Sequence, residues 1–186
     1  MKTAEKKYRT ADLVYIALGA VLITICSWIS IPAAVPFTMQ TFAVFFVLSA
    51  MGGKRGTASV IVYVLLGAFG VPVFSQFNSG PGALLGNTGG YIIGFIFTGL
   101  VYQLITGVFG KKRRTEVLAL LAGLAALYAF GTAWFLAVYT RTQGGIGLTA
   151  VLASCVVPFL IPDVVKLFLA LSLSRRVGPL TGRAEL

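Results

Sequence analysis

Histidine is absent from this chain of 186 residues, acids number only five and cysteines two. Without histidine, Ser-His dyads, haem ligation, zinc-hydrolase sites and imidazole proton relays are excluded together. The few acids form no cluster that could hold a metal, and no cofactor is expected. Cys26 and Cys155 lie far apart in apolar stretches with no CxxC spacing, which reads as two small buried hydrophobes. A P-loop is missing too. Gly52-Gly53-Lys54-Arg55 lacks both the leading glycine at the required spacing and a Ser or Thr after the lysine. Charge of either sign is scarce, at 11% of residues against 58% hydrophobic, with a mean hydropathy of +0.93. A soluble domain could not cover that much apolar surface.

What is present is apolar sequence in long runs. A spanning helix takes about 20 residues, and the chain reads as one all-α membrane domain, residues 1–186, with spans at about 13–31, 36–51, 57–72, 89–109, 117–139 and 162–175. Residues 2–31 share the layout of a signal peptide, but the apolar run is too long and five further runs follow. Between the third and fourth spans lies a long loop, residues 74–90. Pro162 is suited to a first helical turn, so the sixth span is expected to start there, with residues 148–157 as a short outer helix.

The net charge of +10 has a topological cause. When loops are assigned to alternating sides, Lys2, Lys6, Lys7, Arg9, Lys54, Arg55, Lys111 to Arg114, Arg175, Arg176 and Arg183 share one side, 13 of the 15 cations. By the positive-inside rule that side is cytoplasmic, so both termini are expected there and the 74–90 loop outside. The basic charge faces membrane lipid and cytosol, and no nucleic-acid surface is implied.

Against this apolar background three polar groups stand out. Asp163 and Lys166 lie deep in the last run, and their i,i+3 spacing puts them on one helix face. Charges there cost at least ~2.5 kcal/mol each, so they pair, face a cavity, or do both. Asp163 is also expected in the first turn, where the helix dipole favours an acid. The 74–90 loop carries Asn78, Asn87 and several glycines, and Gly90 and Tyr91 follow at its end. A third group, Phe37-Thr38-Met39-Gln40-Thr41, opens the second span. All three map to the outer half, where they supply a carboxylate, an ammonium, amides, a phenol and aromatic walls. That make-up suits a small-ligand pocket and not an ion pore, which needs rings of like groups. A membrane enzyme using Asp163 and Lys166 for proton transfer is the alternative in another class, and it lacks a nucleophile at any recognisable spacing.

Four segments carry a family resemblance: Val35-Pro36-Phe37-Thr38-Met39-Gln40-Thr41, Gly67-Ala68-Phe69-Gly70-Val71-Pro72-Val73-Phe74, Thr88-Gly89-Gly90-Tyr91-Ile92-Ile93-Gly94-Phe95, and Pro158-Phe159-Leu160-Ile161-Pro162-Asp163-Val164-Val165-Lys166. In this order they resemble BioY, the biotin-specific substrate-binding component of energy-coupling-factor (ECF) transporters. Two positions depart from the family pattern, Asn87 replacing proline and Ile161-Pro162-Asp163 replacing Pro-Gly-Asp. The resemblance implies a six-helix bundle in a prokaryotic cell membrane that captures biotin from outside. It also implies a transmembrane coupling subunit and two cytoplasmic ATPases as partners. Asp163, Lys166, Tyr91, Gln40, Phe37, Gly90 and either Asn78 or Asn87 would then be binding residues. Lys166 would meet either the ureido carbonyl or the valerate carboxylate. The family's small-residue contact in the first helix would fall on Ala20 and Thr24, with Ala17 nearby. The same scaffold bound to another small vitamin is the alternative within transport.

Overall fold

The computed structural model describes residues 9–33 and 35–177. Lys2, Lys6, Lys7 and Arg183, counted above for topology, lie outside them. The order is α1 (Thr10–Trp28), β1 (Ser30–Ile31), β2 (Phe37–Thr38), α2 (Gln40–Met51), α3 (Gly53–Ala68), a 3-10 turn (Ser75–Phe77), α4 (Gly80–Leu85), α5 (Gly89–Phe109), α6 (Arg113–Thr142), α7 (Leu148–Cys155) and α8 (Val157–Val177). Among the described residues the regular structure is helical apart from one two-stranded antiparallel hairpin, which pairs Ser30 with Thr38 and Ile31 with Phe37.

Among the described residues, four stretches are long and apolar enough to cross a membrane: Thr10–Trp28, Gly89–Phe109, Arg113–Thr142 and Leu148–Val177. Against the expected span at 36–51 α2 is shorter, with 12 residues, whereas α3 has the same 16 residues as the expected span at 57–72 but lies four positions earlier. At 1.5 Å per residue, α2 is about 18 Å long, less than the ~30 Å hydrocarbon thickness. The start of α2 is displaced because Ser30–Ile31 and Phe37–Thr38 pair antiparallel just before it. Ile31 precedes Pro32, which favours extended backbone, and the hairpin takes residues from both helices.

Two further expectations are corrected. The 74–90 segment is not open loop, since it holds the 3-10 turn and α4, with Pro81 in the first turn of α4. The last span begins at Val157, so Pro162 lies inside α8 and Asp163 is beyond its first turn. Pro158 stands at the second helical position, where an amide has no partner in any case. The amide missing at Pro162 therefore leaves only the Pro158 carbonyl without its helical partner, a small loss close to the helix start. Lys166, not the helix dipole, is what offsets the Asp163 charge.

Small residues set the helix approaches. An added Cβ on Gly131 would enter the ring of Tyr91, and one on Gly94 or Gly123 would meet Leu127 or Thr98, so α5 and α6 lie close along their length. The core between helices holds Phe45, Leu48, Tyr63, Tyr102, Leu120 and Leu167, while Leu13, Leu104, Phe109, Leu118 and Leu169 face outward. At the end bearing Lys54, Arg55, Arg175 and Arg176, polar pairs tie helices together. Asp12 pairs with Arg55 at 2.5 Å, Tyr102 donates to Glu116 at 3.3 Å, and Ser49 and Ser174 share a bond of 2.7 Å. Asp12 and Glu116 are thus buried acids as well, at the opposite end of the bundle from Asp163.

Candidate ligand-binding site

On α8, the i,i+3 spacing brings Asp163 and Lys166 together: Lys166 Nζ lies 2.8 Å from Asp163 Oδ1. The two residues are only 3% and 5% exposed. A buried pair gains little unless its remaining valences are met, and here they are met by other elements. Tyr128 on α6 donates its hydroxyl to Asp163 Oδ2 at 2.7 Å. Lys166 Nζ donates to the Thr38 carbonyl at 2.7 Å. The same ammonium lies 4.1 Å from the centre of the Phe37 ring, a cation–π contact that counts for more away from water. Phe37 in turn stacks on Phe159 with centroids 6.0 Å apart.

These groups border a cavity of about 70 Å³ whose walls include Gln40, Tyr91, Phe95, Tyr128, Asp163 and Lys166. Small-molecule pockets commonly run to roughly 300–1,000 Å³, so the walls stand close together in this conformation. Gln40 donates Nε2 to the Tyr63 hydroxyl at 3.0 Å, and the Tyr91 hydroxyl bonds Thr132 Oγ1 at 3.2 Å. Val35 and Pro36 from the hairpin, Ser75 and Thr88 from the 74–90 segment, and Cys155 complete the rim.

Among the residues expected from sequence, Asp163, Lys166, Gln40 and Tyr91 all line the cavity. Phe37 stands behind Lys166. Gly90 packs where an added Cβ would enter Trp134, a helix-packing position away from the cavity wall. Neither Asn78 nor Asn87 is among the lining residues. Asn78 is exposed, and its Oδ1 accepts from the Ser79 amide at 2.8 Å. Sequence reasoning missed Tyr128, the Thr38 carbonyl as the acceptor for Lys166, Phe159 and Cys155. Tyr128 sits in an ordinary apolar span with nothing local to mark it. The 67–74 segment acts from behind: Gly67 leaves room for the Phe74 ring, which meets Tyr63 edge-on at 5.6 Å, and Tyr63 holds Gln40.

Chemically, the site offers a carboxylate acceptor and an ammonium donor side by side, within apolar walls. A ligand group with adjacent N–H donors and a carbonyl acceptor would match both.

Comparison with known proteins bears on which ligand. The BioY family profile matches residues 1–183. The chain belongs to the BioY family. It is 36% identical over 170 residues to the biotin transporter BioY of Thermotoga maritima, covering 91% of this chain and 96% of that one. It is 32% identical to the probable biotin transporter BioY of Pyrococcus horikoshii, at 91% and 97% coverage, and 31% identical to the biotin transporter BioY of Rhizobium etli, at 90% and 93%. The crystal structure of the S-component for biotin from an ECF-type ABC transporter superposes with a TM-score of 0.79 at 26% identity, covering 95% of this chain and 94% of that one.

Proposed function

We propose that this chain is the high-affinity biotin-binding component of an ECF-type uptake transporter, capturing the vitamin at the outer side of a prokaryotic cell membrane. The observation that carries the reading is the buried network of Tyr128, Asp163, Lys166 and the Thr38 carbonyl on an apolar cavity, in a chain of the BioY family. Biotin has a ureido ring with two N–H donors and a carbonyl acceptor, an apolar thioether ring and an anionic tail. Asp163 would accept from a ureido N–H and Lys166 would donate to the ureido carbonyl, both charge-assisted bonds of roughly twice the neutral strength. Because carboxylate and ammonium stand 2.8 Å apart, they suit adjacent donor and acceptor atoms better than a lone carboxylate, which favours the ureido end for Lys166. Phe95, Leu127 and Phe159 would face the thioether ring.

In this reading α1, α2, α3, α5, α6 and α8 make the six crossings, with the short α2 and α3 completed by the hairpin and by residues 69–74. The ends of α1 and α8 and the turns at Gly52 and 110–112 are cytoplasmic, following the cations. A chain with no nucleotide-binding motif takes its energy from partners, a coupling subunit and two ATPases. Either asparagine could join the ligand only if the 74–90 segment moves inward.

Labelled biotin incubated with the purified protein tests this directly. Stoichiometric retention without any product is expected. Loss of label on washing, or its conversion, would remove the assignment. Biotin amide, whose tail is uncharged, should be bound with similar dependence on Lys166. A dependence seen with biotin and lost with the amide would move Lys166 to the valerate.

A further inference from the structure

On the opposite end of the bundle, the outward face of α5 carries a shallow apolar groove lined by Leu100, Gln103, Leu104, Gly107 and Val108. Leu104 and Val108 are 67% and 68% exposed. Gly107 forms the notch, for an added Cβ there would meet nothing within 4 Å. The groove extends about 12 Å along the helix axis. Immediately beyond its lower end, the chain turns at Gly110, with φ of +74°, into Lys111-Lys112-Arg113-Arg114. The Lys111 ammonium lies against Gly52 in the α2–α3 turn, whereas Lys112, Arg113 and Arg114 are exposed beside the groove's end. The nearby acid, Glu116, is buried and accepts from Tyr102.

We propose that this groove and the three exposed cations form a binding site for an anionic phospholipid of the cytoplasmic leaflet. The cations take the phosphate headgroup and the notch at Gly107 takes the upper part of an acyl chain. Charge complementarity argues for lipid: clustered Lys and Arg at the cytoplasmic end of a span attract anionic headgroups, each by about fivefold in affinity. The groove is lined mainly by Leu100, Leu104 and Val108 and ends beside these cations.

The test uses the full chain in detergent, offered equal amounts of phosphatidylglycerol and phosphatidylcholine, with retained lipid read by native mass spectrometry. Phosphatidylglycerol should be retained in preference. K112Q/R113Q/R114Q should lower that preference at least about tenfold, while R175Q/R176Q, on a different cytoplasmic segment, should leave it unchanged. Gly107→Leu, which keeps every charge, should weaken retention of both lipids by filling the notch, and it decides the matter if the triple variant fails to fold. Equal retention of the two lipids by the wild-type chain overturns the proposal. So does an equal loss of preference in R175Q/R176Q, which would make the effect a property of any basic loop. Unchanged lipid retention in Gly107→Leu together with lost co-purification of the coupling subunit would assign the face to a protein instead.

Discussion

Asp163 accepts from two donors on different elements, and each contributes differently. Lys166 is its charge partner, so Asp163→Ala leaves a buried ammonium and Lys166→Ala a buried carboxylate; breaking such a pair typically costs ~3–5 kcal/mol. Biotin affinity should therefore fall at least a hundredfold in either variant, provided that each is well folded. Calorimetric titration checks it, and wild-type affinity in both would leave the pair with a purely structural task. Tyr128 is a neutral donor to the other carboxylate oxygen, 2.7 Å away. Tyr128→Phe keeps the ring and removes one hydrogen bond to a charged group, worth about 1.5–3 kcal/mol. A loss of at least about tenfold in biotin affinity is expected, with a lowered melting temperature because the bond is already present without ligand. An unchanged affinity would show that Asp163 needs no second donor to hold its orientation.

At the scale of elements, the 74–90 segment is the part best placed to open and close the cavity. It touches the cavity only through Ser75 and Thr88, and tryptophans hold its margins. Trp28 donates Nε1 to the Pro72 carbonyl at 3.0 Å and meets Phe77 in a tilted ring contact with centroids 4.9 Å apart; Trp134 donates Nε1 to the Gly86 carbonyl at 3.1 Å. A few contacts of that kind can be exchanged without disturbing the helices beneath, which is what a lid requires. Amide hydrogen exchange should be fast in residues 75–88 without biotin and protected with it. Equal exchange in both states would shift the gating to the hairpin, whose Val35 and Pro36 also border the cavity.

For the whole molecule, the question is which surface would meet the coupling subunit proposed above. Ala20 and Thr24, expected there from sequence, are turned into the bundle: Ala20 is 2% exposed, and the Thr24 hydroxyl donates to the Ala20 carbonyl at 2.9 Å. The outward face of α1 carries Leu13, Val14, Leu18 and Val21, with the small exposed Ala17 among them. Ala17→Trp should therefore abolish co-purification with the coupling subunit and leave biotin binding intact. Ala20→Trp should lower yield and melting temperature instead, since the indole has no space in the core. If Ala17→Trp still co-purifies normally, another face of the bundle makes the contact.

Hydropathy and charge are properties that each residue carries locally, and what depends on them was readable in the chain: a helical membrane protein with several long apolar helices. The Asp163 and Lys166 pair was readable for the same reason, because charges in an apolar run must find partners and a helix brings i and i+3 together. What depends on neighbours distant in sequence was decided only by the tertiary structure. Tyr128 reaches Asp163 across 35 positions, and Lys166 reaches the Thr38 carbonyl across 128; no local pattern marks either. The hairpin that ends α1 at Trp28 and delays the start of α2 to Gln40 arises from pairing between strands, which hydropathy does not see. The face of α1 that turns inward was equally hidden, since in an apolar helix the side packed on protein and the side packed on lipid are alike in composition and differ only in what lies against them.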